Sequence, residues 1–182
     1  EIVAKAAGLK EQGNIGIAYT YNEPSVWYEF VYETAKKAKE KGLLNVLVTN
    51  GYICREPLEQ LLPYVDAMNI DLKAYNEKFY TELVKGSAGA LENVKETIRI
   101  SAGQCHVEVT TLIVPGWNDS AAEMVEQSRW LASLSPEIPL HLSRYFPRYL
   151  MAGGPPPTPI SVLKELKEAA ERHLKYVYLG NV

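Results

Sequence analysis

The chain has 182 residues, of which 47% are hydrophobic and 23% are charged, and its formal net charge is −3 at pH 7. This length predicts one domain of ordinary globular composition. The slight excess of acidic residues argues against a nucleic-acid-binding surface, and no apolar run reaches the length of about 18 residues that crosses a membrane. The two cysteines, Cys54 and Cys105, cannot build a disulfide framework, which favours the cytoplasm.

Short β-branched runs alternate along the chain with amphipathic stretches. The first ten residues have the pattern of a helix end, and six later runs predict strands at 15–20, 45–49, 67–72, 107–114, 140–145 and 176–179. Helices are predicted between them at 25–41, 56–63, 77–84, 90–101, from 120 through 131, and from 158 onwards. At the start of the helix at 120, Ser120 and Glu123 have the spacing of a capping box.

Strands that are each followed by a helix predict a parallel sheet covered by helices. A complete eight-unit barrel needs about 250 residues, so this chain holds about six units. We therefore predict an α/β fold, a partial (β/α)6 TIM-like barrel that fills a single domain, 1–182, and lacks its first strand. An open doubly wound sheet is the alternative, but the sequence contains no G-x-G-x-x-G turn to support it.

Polar side chains follow the predicted strands at their carboxyl ends. In parallel α/β folds these ends meet at one edge of the sheet and carry the functional groups. The acids Glu23 and Asp71 and the amine of Lys73 would therefore share one rim. Such a rim suits a zwitterionic ligand, because carboxylates bind an ammonium group and lysine binds a carboxylate.

Taken singly, the same residues also have structural interpretations. Glu23 followed by proline is a common helix start, and Thr49-Asn50-Gly51 is a common turn. Asp71 and Lys73 have the same parity on a strand, which directs them to one side of the sheet. An unpaired charge inside a barrel is costly, so functional use of these two residues is favoured over a structural ion pair.

Four polar or glycine-containing runs follow one another along the chain at 20–24, 49–51, 69–73 and 113–119. Together they resemble the radical S-adenosylmethionine (SAM) enzymes, and within them the pyruvate formate-lyase activating enzymes. The stretches 19–27, 139–149 and 176–182 are still more similar to the radical SAM member of the AmmeMemoRadiSam system. The resemblance implies a [4Fe–4S] cluster that reduces SAM to methionine and a 5′-deoxyadenosyl radical, which abstracts a hydrogen atom from a substrate. The resemblance covers nearly the whole chain, with these runs in the same order.

Carried over by position, the resemblance implies a SAM-binding site. Glu23 takes the place of the glutamate in a Gly-Gly-Glu motif, which holds the SAM amino group, and Asp71 and Lys73 match residues that flank the methionyl group. Thr110 stands where the family has an arginine that reaches towards SAM, and Leu112 stands where an apolar residue touches adenine. The implied SAM-binding residues are Asn22, Glu23, Thr49, Asn50, Asp71, Lys73, Thr110 and Leu112.

Arg144, Tyr145 and Arg148 lie near the later strand ends and are candidate substrate contacts, because partial barrels admit substrate from the side. The resemblance implies a glycyl radical enzyme or another protein substrate as the partner. Neither nucleic acid nor a membrane is expected as a partner. The unpaired edge of the strand predicted at 15–20 predicts self-association.

The C-x-x-x-C-x-x-C loop that binds the cluster in this family is absent from the sequence. Cys54 and Cys105 are too far apart to replace it, and neither His106 nor His173 has metal-ligand spacing with them, whereas His141 is ambiguous. We therefore predict no metal ligand in this chain and expect a core fragment cut at both ends. The fragment itself would be inactive, although its full-length parent would be a radical SAM oxidoreductase.

Two other functions stay open from the sequence alone. Class I aldolases place a Schiff-base lysine at a strand end of an α/β barrel, and Lys73 would suit that role with Glu23 or Asp71 as proton-transfer partner. A non-catalytic domain would instead use the same rim to bind SAM or a protein without turnover.

Overall fold

The computed structural model describes all 182 residues and has an α/β fold with a six-stranded, all-parallel sheet in chain order, as predicted. No helix is both long enough and apolar enough to cross a membrane. The strands are β1 (Gly16–Tyr19), β2 (Leu44–Thr49), β3 (Ala67–Asp71), β4 (His106–Ile113), β5 (Leu140–Arg144) and β6 (Val177–Gly180). The α-helices are α1 (Ile2–Gly8), α2 (Tyr28–Glu40), α3 (Arg55–Leu61), α4 (Ala90–Ala102), α5 (Ala121–Leu134) and α6 (Ile160–Ala170).

The chain divides into two compact units. Unit 1 comprises Glu1–Asp71 and Asn93–Val107, and unit 2 comprises Leu72–Glu92 and Glu108–Val182. Single-domain organisation over 1–182 stays a prediction, and the two units are described separately below.

Unit 1 contains β1, β2 and β3, which form parallel pairs in that order. Helix α2 buries Val31, Ala35 and Ala38, each at most 2% exposed, against the unit's core. The spacing of these residues by three and four places them on one face of the helix. Burial of this apolar stripe, rather than helix propensity, is the main source of the helix's stability.

A buried amide links three parts of unit 1. Asn45 is 0% exposed, and its Nδ2 donates to the carbonyl oxygens of Ala35 at 3.0 Å and Tyr64 at 2.9 Å. Its Oδ1 accepts a hydrogen bond from the Tyr19 hydroxyl at 3.0 Å. Burial raises the pKa of Tyr19 to about 12, so this hydroxyl keeps its proton at a higher pH than an exposed tyrosine does. The side chain therefore ties β2 to β1, to α2 and to the turn before β3.

Unit 2 contains β5 between β4 and β6, with parallel pairing on both sides. Its strands and helices share an apolar core whose most deeply buried members are all 0% exposed. They include Val109, Ile113, Leu131, Leu140, Leu142 and Leu163.

The capping box predicted at the start of α5 is wrong. Ser120 occupies the N-cap position, but its side chain makes no capping hydrogen bond. The Glu123 carboxylate instead accepts from the backbone N–H of Tyr75 at 2.7 Å and from Asn76 Nδ2 at 2.9 and 2.8 Å. A carboxylate that receives two separate donors at this distance is better satisfied than one that reaches back to a single N-cap N–H.

Smaller differences affect the helix ends. The helix predicted at 25–41 begins with a 3₁₀ turn, Pro24–Trp27, and the one predicted at 77–84 is a π-helical turn, Phe79–Leu83. The helix predicted from 158 onwards begins at Ile160, with Pro159 in the N-cap position.

Strand β1 pairs on one side only, with β2. Ile15, just before it, is 71% exposed, so an apolar side chain accompanies an open strand edge. We expect this 182-residue chain to self-associate here, with a light-scattering mass that rises with concentration and that Ile15→Lys lowers towards the monomer. Val182→Lys, which adds the same charge at a 65%-exposed residue of unit 2, should leave association unchanged. A concentration-independent monomer for the unsubstituted protein contradicts this expectation.

Candidate functional site

The carboxylate of Glu23 is held at the end of β2. Its Oε1 accepts hydrogen bonds from Thr49 Oγ1 at 2.5 Å, Ser25 Oγ at 3.1 Å and Ser25 N at 3.3 Å. Its Oε2 accepts one from Asn50 N at 2.7 Å. Since Oε1 already receives three donors, the acceptor capacity that remains on this acid is at Oε2.

Thr49 orients Glu23, and its hydroxyl proton is already used in that hydrogen bond rather than available to a ligand. The side chain is 7% exposed, its proton is donated to Glu23, and its oxygen accepts from Gly51 N at 3.1 Å. The neighbouring Asn50 gives its backbone N–H to Glu23 and accepts at Oδ1 from Tyr52 N at 2.8 Å. The sequence motif Thr49-Asn50-Gly51 is therefore a turn whose donors converge on one carboxylate.

Only glycine suits the last residue of this turn. Gly51 has φ of 72°, and a Cβ there would lie 2.8 Å from Ile70 Cγ2 and 3.2 Å from Val94 Cγ1. Its carbonyl oxygen accepts from the buried Thr97 hydroxyl at 2.7 Å. The packing of β3 and α4 thus fixes the backbone that directs Asn50 N at Glu23.

The two residues before Glu23 stand where the resemblance implies the two glycines of the Gly-Gly-Glu motif. Tyr21 has φ of 72°, in the left-handed region that glycine adopts without steric cost, and its side chain is fully exposed. Asn22 is also exposed. Tyr21 therefore has a backbone conformation that usually favours glycine.

The polar residues at the end of β3 share one side of the chain. Asn69, Asp71 and Lys73 are half-buried and alternate with Ile70 and Leu72, which are both 0% exposed. This alternation agrees with the parity that the sequence predicted. Within unit 1, Ile70 pairs with Thr49, so Asp71 follows directly at the carboxyl end of the β2–β3 pair.

Two predicted contacts of unit 2 lie on one side of β4. Leu112 is 41% exposed and Thr110 is half-buried, whereas the alternating residues Thr111 and Ile113 are at most 1% exposed. Thr110 pairs with His141 of β5. The side of β4 that carries Thr110 and Leu112 is thus the more accessible one.

The three candidate substrate contacts have different surroundings. Tyr145 is 6% exposed and its hydroxyl donates to the Met151 carbonyl at 3.5 Å. The Arg144 Nε donates to the Thr158 carbonyl at 2.8 Å. Of the three, Arg148 has the exposed side chain. The structure therefore gives Tyr145 and Arg144 partners within unit 2, and the substrate role of all three stays a prediction.

The sequence did not single out a polar cluster on unit 2 formed by Glu108, His141 and Tyr178. His141 Nε2 lies 2.7 Å from Glu108 Oε2, and its ring stacks on Tyr178 with centroids 5.4 Å apart. The three residues come from β4, β5 and β6, so no local spacing relates them. Ser25 was also missed, although a serine two residues after an acid at a helix start is a local signal for such a contact.

The cysteines of this chain do not fit a [4Fe–4S] cluster. Cys54 is exposed, and Cys105 is half-buried with its Sγ–H directed at the Ser101 carbonyl oxygen, 3.7 Å away. Burial raises the pKa of Cys105 to about 11, whereas a cluster ligand must be a thiolate. No group of three or more His, Cys, Asp or Glu side chains is arranged to hold a metal ion.

Comparison with known proteins identifies the family. The model for "Radical SAM superfamily" matches residues 1–127, and the chain therefore belongs to this superfamily. Its relatives include the uncharacterized protein MJ0808 of Methanocaldococcus jannaschii, 46% identical over 92% of this chain and 49% of that protein. The pyruvate formate-lyase 1-activating enzyme of Escherichia coli K12 is 30% identical over 57% of this chain and 42% of the enzyme.

A solved structure shows the same fold. A domain of the pyruvate formate-lyase-activating enzyme from Bacteroides vulgatus superposes with a TM-score of 0.75 at 18% identity, covering 91% of this chain and 99% of that domain. The chain spans less than half the length of the curated relatives above. The more specific resemblance to the AmmeMemoRadiSam branch stays a prediction.

Proposed function

We propose that this chain is the SAM-binding core of a radical SAM enzyme of the glycyl-radical activating type. The observation that carries the proposal is the Glu23 carboxylate, which is anchored at Oε1 by Thr49 and Ser25 and retains acceptor capacity at Oε2. A carboxylate held in place in this way binds an ammonium group without losing side-chain freedom on binding. Family membership supports this function over the Schiff-base alternative for Lys73.

In the proposed complex, Glu23 Oε2 accepts a hydrogen bond from the SAM ammonium group, and Lys73 binds the methionyl carboxylate. Asp71 lies beside the same amino-acid head group, with Asn22 and Asn50 completing its surroundings. Thr110 faces the ribose and Leu112 provides an apolar contact for adenine. Charge-assisted hydrogen bonds at both ends of the head group would select an α-amino acid.

The radical chemistry belongs to the full-length protein. Because Cys54 and Cys105 do not fit a cluster, we propose that the cluster ligands lie outside these 182 residues. The relatives include activating enzymes for pyruvate formate-lyase, isethionate sulfite-lyase and a sulfopropanediol dehydratase. We accordingly propose a glycyl radical enzyme or another protein as the substrate. We also propose the cytoplasm as the location.

Calorimetric titration of the full-length protein with SAM under anaerobic conditions tests the proposal. We expect saturable binding of one SAM per chain. In a separate experiment, treatment with pyruvate and borohydride should leave no trapped adduct on Lys73. A full-length protein that binds no SAM contradicts the proposed function, and an adduct on Lys73 would favour aldolase-type chemistry instead.

A further inference from the structure

A buried amide in the turn after β4 holds the backbone of two of the proposed SAM contacts. Asn118 is 3% exposed, and its Nδ2 donates to the carbonyl oxygens of Lys73 at 2.7 Å and Leu112 at 2.9 Å. Its Oδ1 accepts from Val114 N at 2.7 Å. Both amide protons are therefore used, and they fix the separation between the backbone at Lys73 and the backbone at Leu112.

Other buried side chains hold the same stretch of backbone. The N–H of Lys73 donates to the Tyr80 hydroxyl at 3.0 Å, and the carbonyl oxygen of Leu72 accepts from Thr111 Oγ1 at 2.8 Å. Gln127 Nε2 in turn donates to Thr111 Oγ1 at 2.8 Å. Tyr80, Thr111 and Gln127 are at most 3% exposed, so these bonds are shielded from water and are costly to break.

We propose that Asn118 is a positioning residue for SAM. It makes no ligand contact itself, but it holds Lys73 and Leu112 at the separation that the methionyl carboxylate and the adenine of one SAM molecule require. This inference rests on the proposed SAM site. A purely structural role is the competing interpretation, since loss of any buried amide also destabilises the fold.

The variant Asn118→Asp is nearly isosteric but lacks both amide donors and directs a carboxylate at two carbonyl oxygens. In the full-length protein we expect it to raise the SAM Kd at least about tenfold at a temperature where circular dichroism shows an intact fold. The matched control is Asn14→Asp, because Asn14 Nδ2 donates to the Ala6 carbonyl at 2.8 Å in unit 1. This control should leave the SAM Kd unchanged.

A double-mutant cycle with Lys73→Ala separates positioning from general destabilisation. If Asn118 acts through Lys73, Asn118→Asp should raise the Kd less than about threefold once the lysine side chain is gone. An equal factor in both backgrounds overturns positioning through Lys73, and an unchanged Kd in Asn118→Asp alone overturns the whole inference. Neither result removes the SAM site.

A second variant keeps the inference testable if Asn118→Asp does not fold. Tyr80→Phe retains the ring packing and removes only the oxygen that accepts from Lys73 N, so we expect the SAM Kd to rise at least about threefold. An unchanged Kd in this variant would mean that the backbone of Lys73 does not have to be held for SAM to bind, which overturns the inference that Asn118 acts by holding it. Absence of SAM binding by the unsubstituted protein is a different result, because it overturns the proposed function itself.

Discussion

Replacing Glu23 by glutamine should raise the Kd of SAM by about 10- to 100-fold. A hydrogen bond to a charged group contributes about 1.5–3 kcal/mol, and each 1.4 kcal/mol is about a factor of ten in affinity. In either orientation of the amide, its NH₂ group would oppose a donor, Asn50 N on one side or Thr49 Oγ1 on the other. Anaerobic calorimetry on the full-length protein measures the change.

The control for this variant is Glu33→Gln. Glu33 lies on α2, is exposed, and forms an ordinary i,i+4 ion pair with Lys37 at 3.7 Å. Its substitution removes the same charge and should leave the SAM Kd within about twofold of the original. If Glu23→Gln binds SAM as tightly as the control does, the ammonium group is not bound by Glu23.

Replacing Asn45 by alanine should lower the free energy of unfolding by about 3–5 kcal/mol. The substitution removes two amide donors and one acceptor from a 0%-exposed position, and it leaves the carbonyls of Ala35 and Tyr64 and the hydroxyl of Tyr19 without these partners. Each buried polar group left unsatisfied costs about 1–3 kcal/mol. Urea unfolding followed by circular dichroism measures the loss.

Asn14→Ala is the matched control for Asn45→Ala, because the Asn14 side chain gives a single hydrogen bond to the Ala6 carbonyl in a partly buried position. Its effect should stay below about 1 kcal/mol. Equal unfolding midpoints for the two variants would mean that Asn45 does not link β1, β2 and α2 as its contacts indicate.

The strands and helices were largely predictable because each has a local pattern. Buried parallel strands appear as continuous β-branched runs, and α2 shows its apolar face at spacings of three and four. The capping box at Ser120 failed for a non-local reason, since Glu123 is used by residues 47 and 48 positions earlier in the chain. Sequence spacing cannot rank a local partner for a carboxylate against a distant one.

The candidate site was predictable only as a set of residue types at strand ends. The sequence indicated Glu23 and Thr49 separately, but the hydrogen bond between them spans 26 residues and shows that Thr49 orients the acid. Asn118 belonged to a recognised motif, yet its bond to Lys73 spans 45 residues. The Glu108–His141 pair likewise joins two strands 33 residues apart. Such roles depend on side-chain partners that only the folded chain defines.

A crystal structure of the full-length protein, grown anaerobically with SAM, tests directly whether Glu23 binds the SAM ammonium group. We predict the SAM nitrogen within about 3 Å of Glu23 Oε2, with Thr49 and Asn50 still bonded to the same carboxylate. A complex in which SAM is bound while its nitrogen lies beyond hydrogen-bond distance of Glu23 would contradict this account.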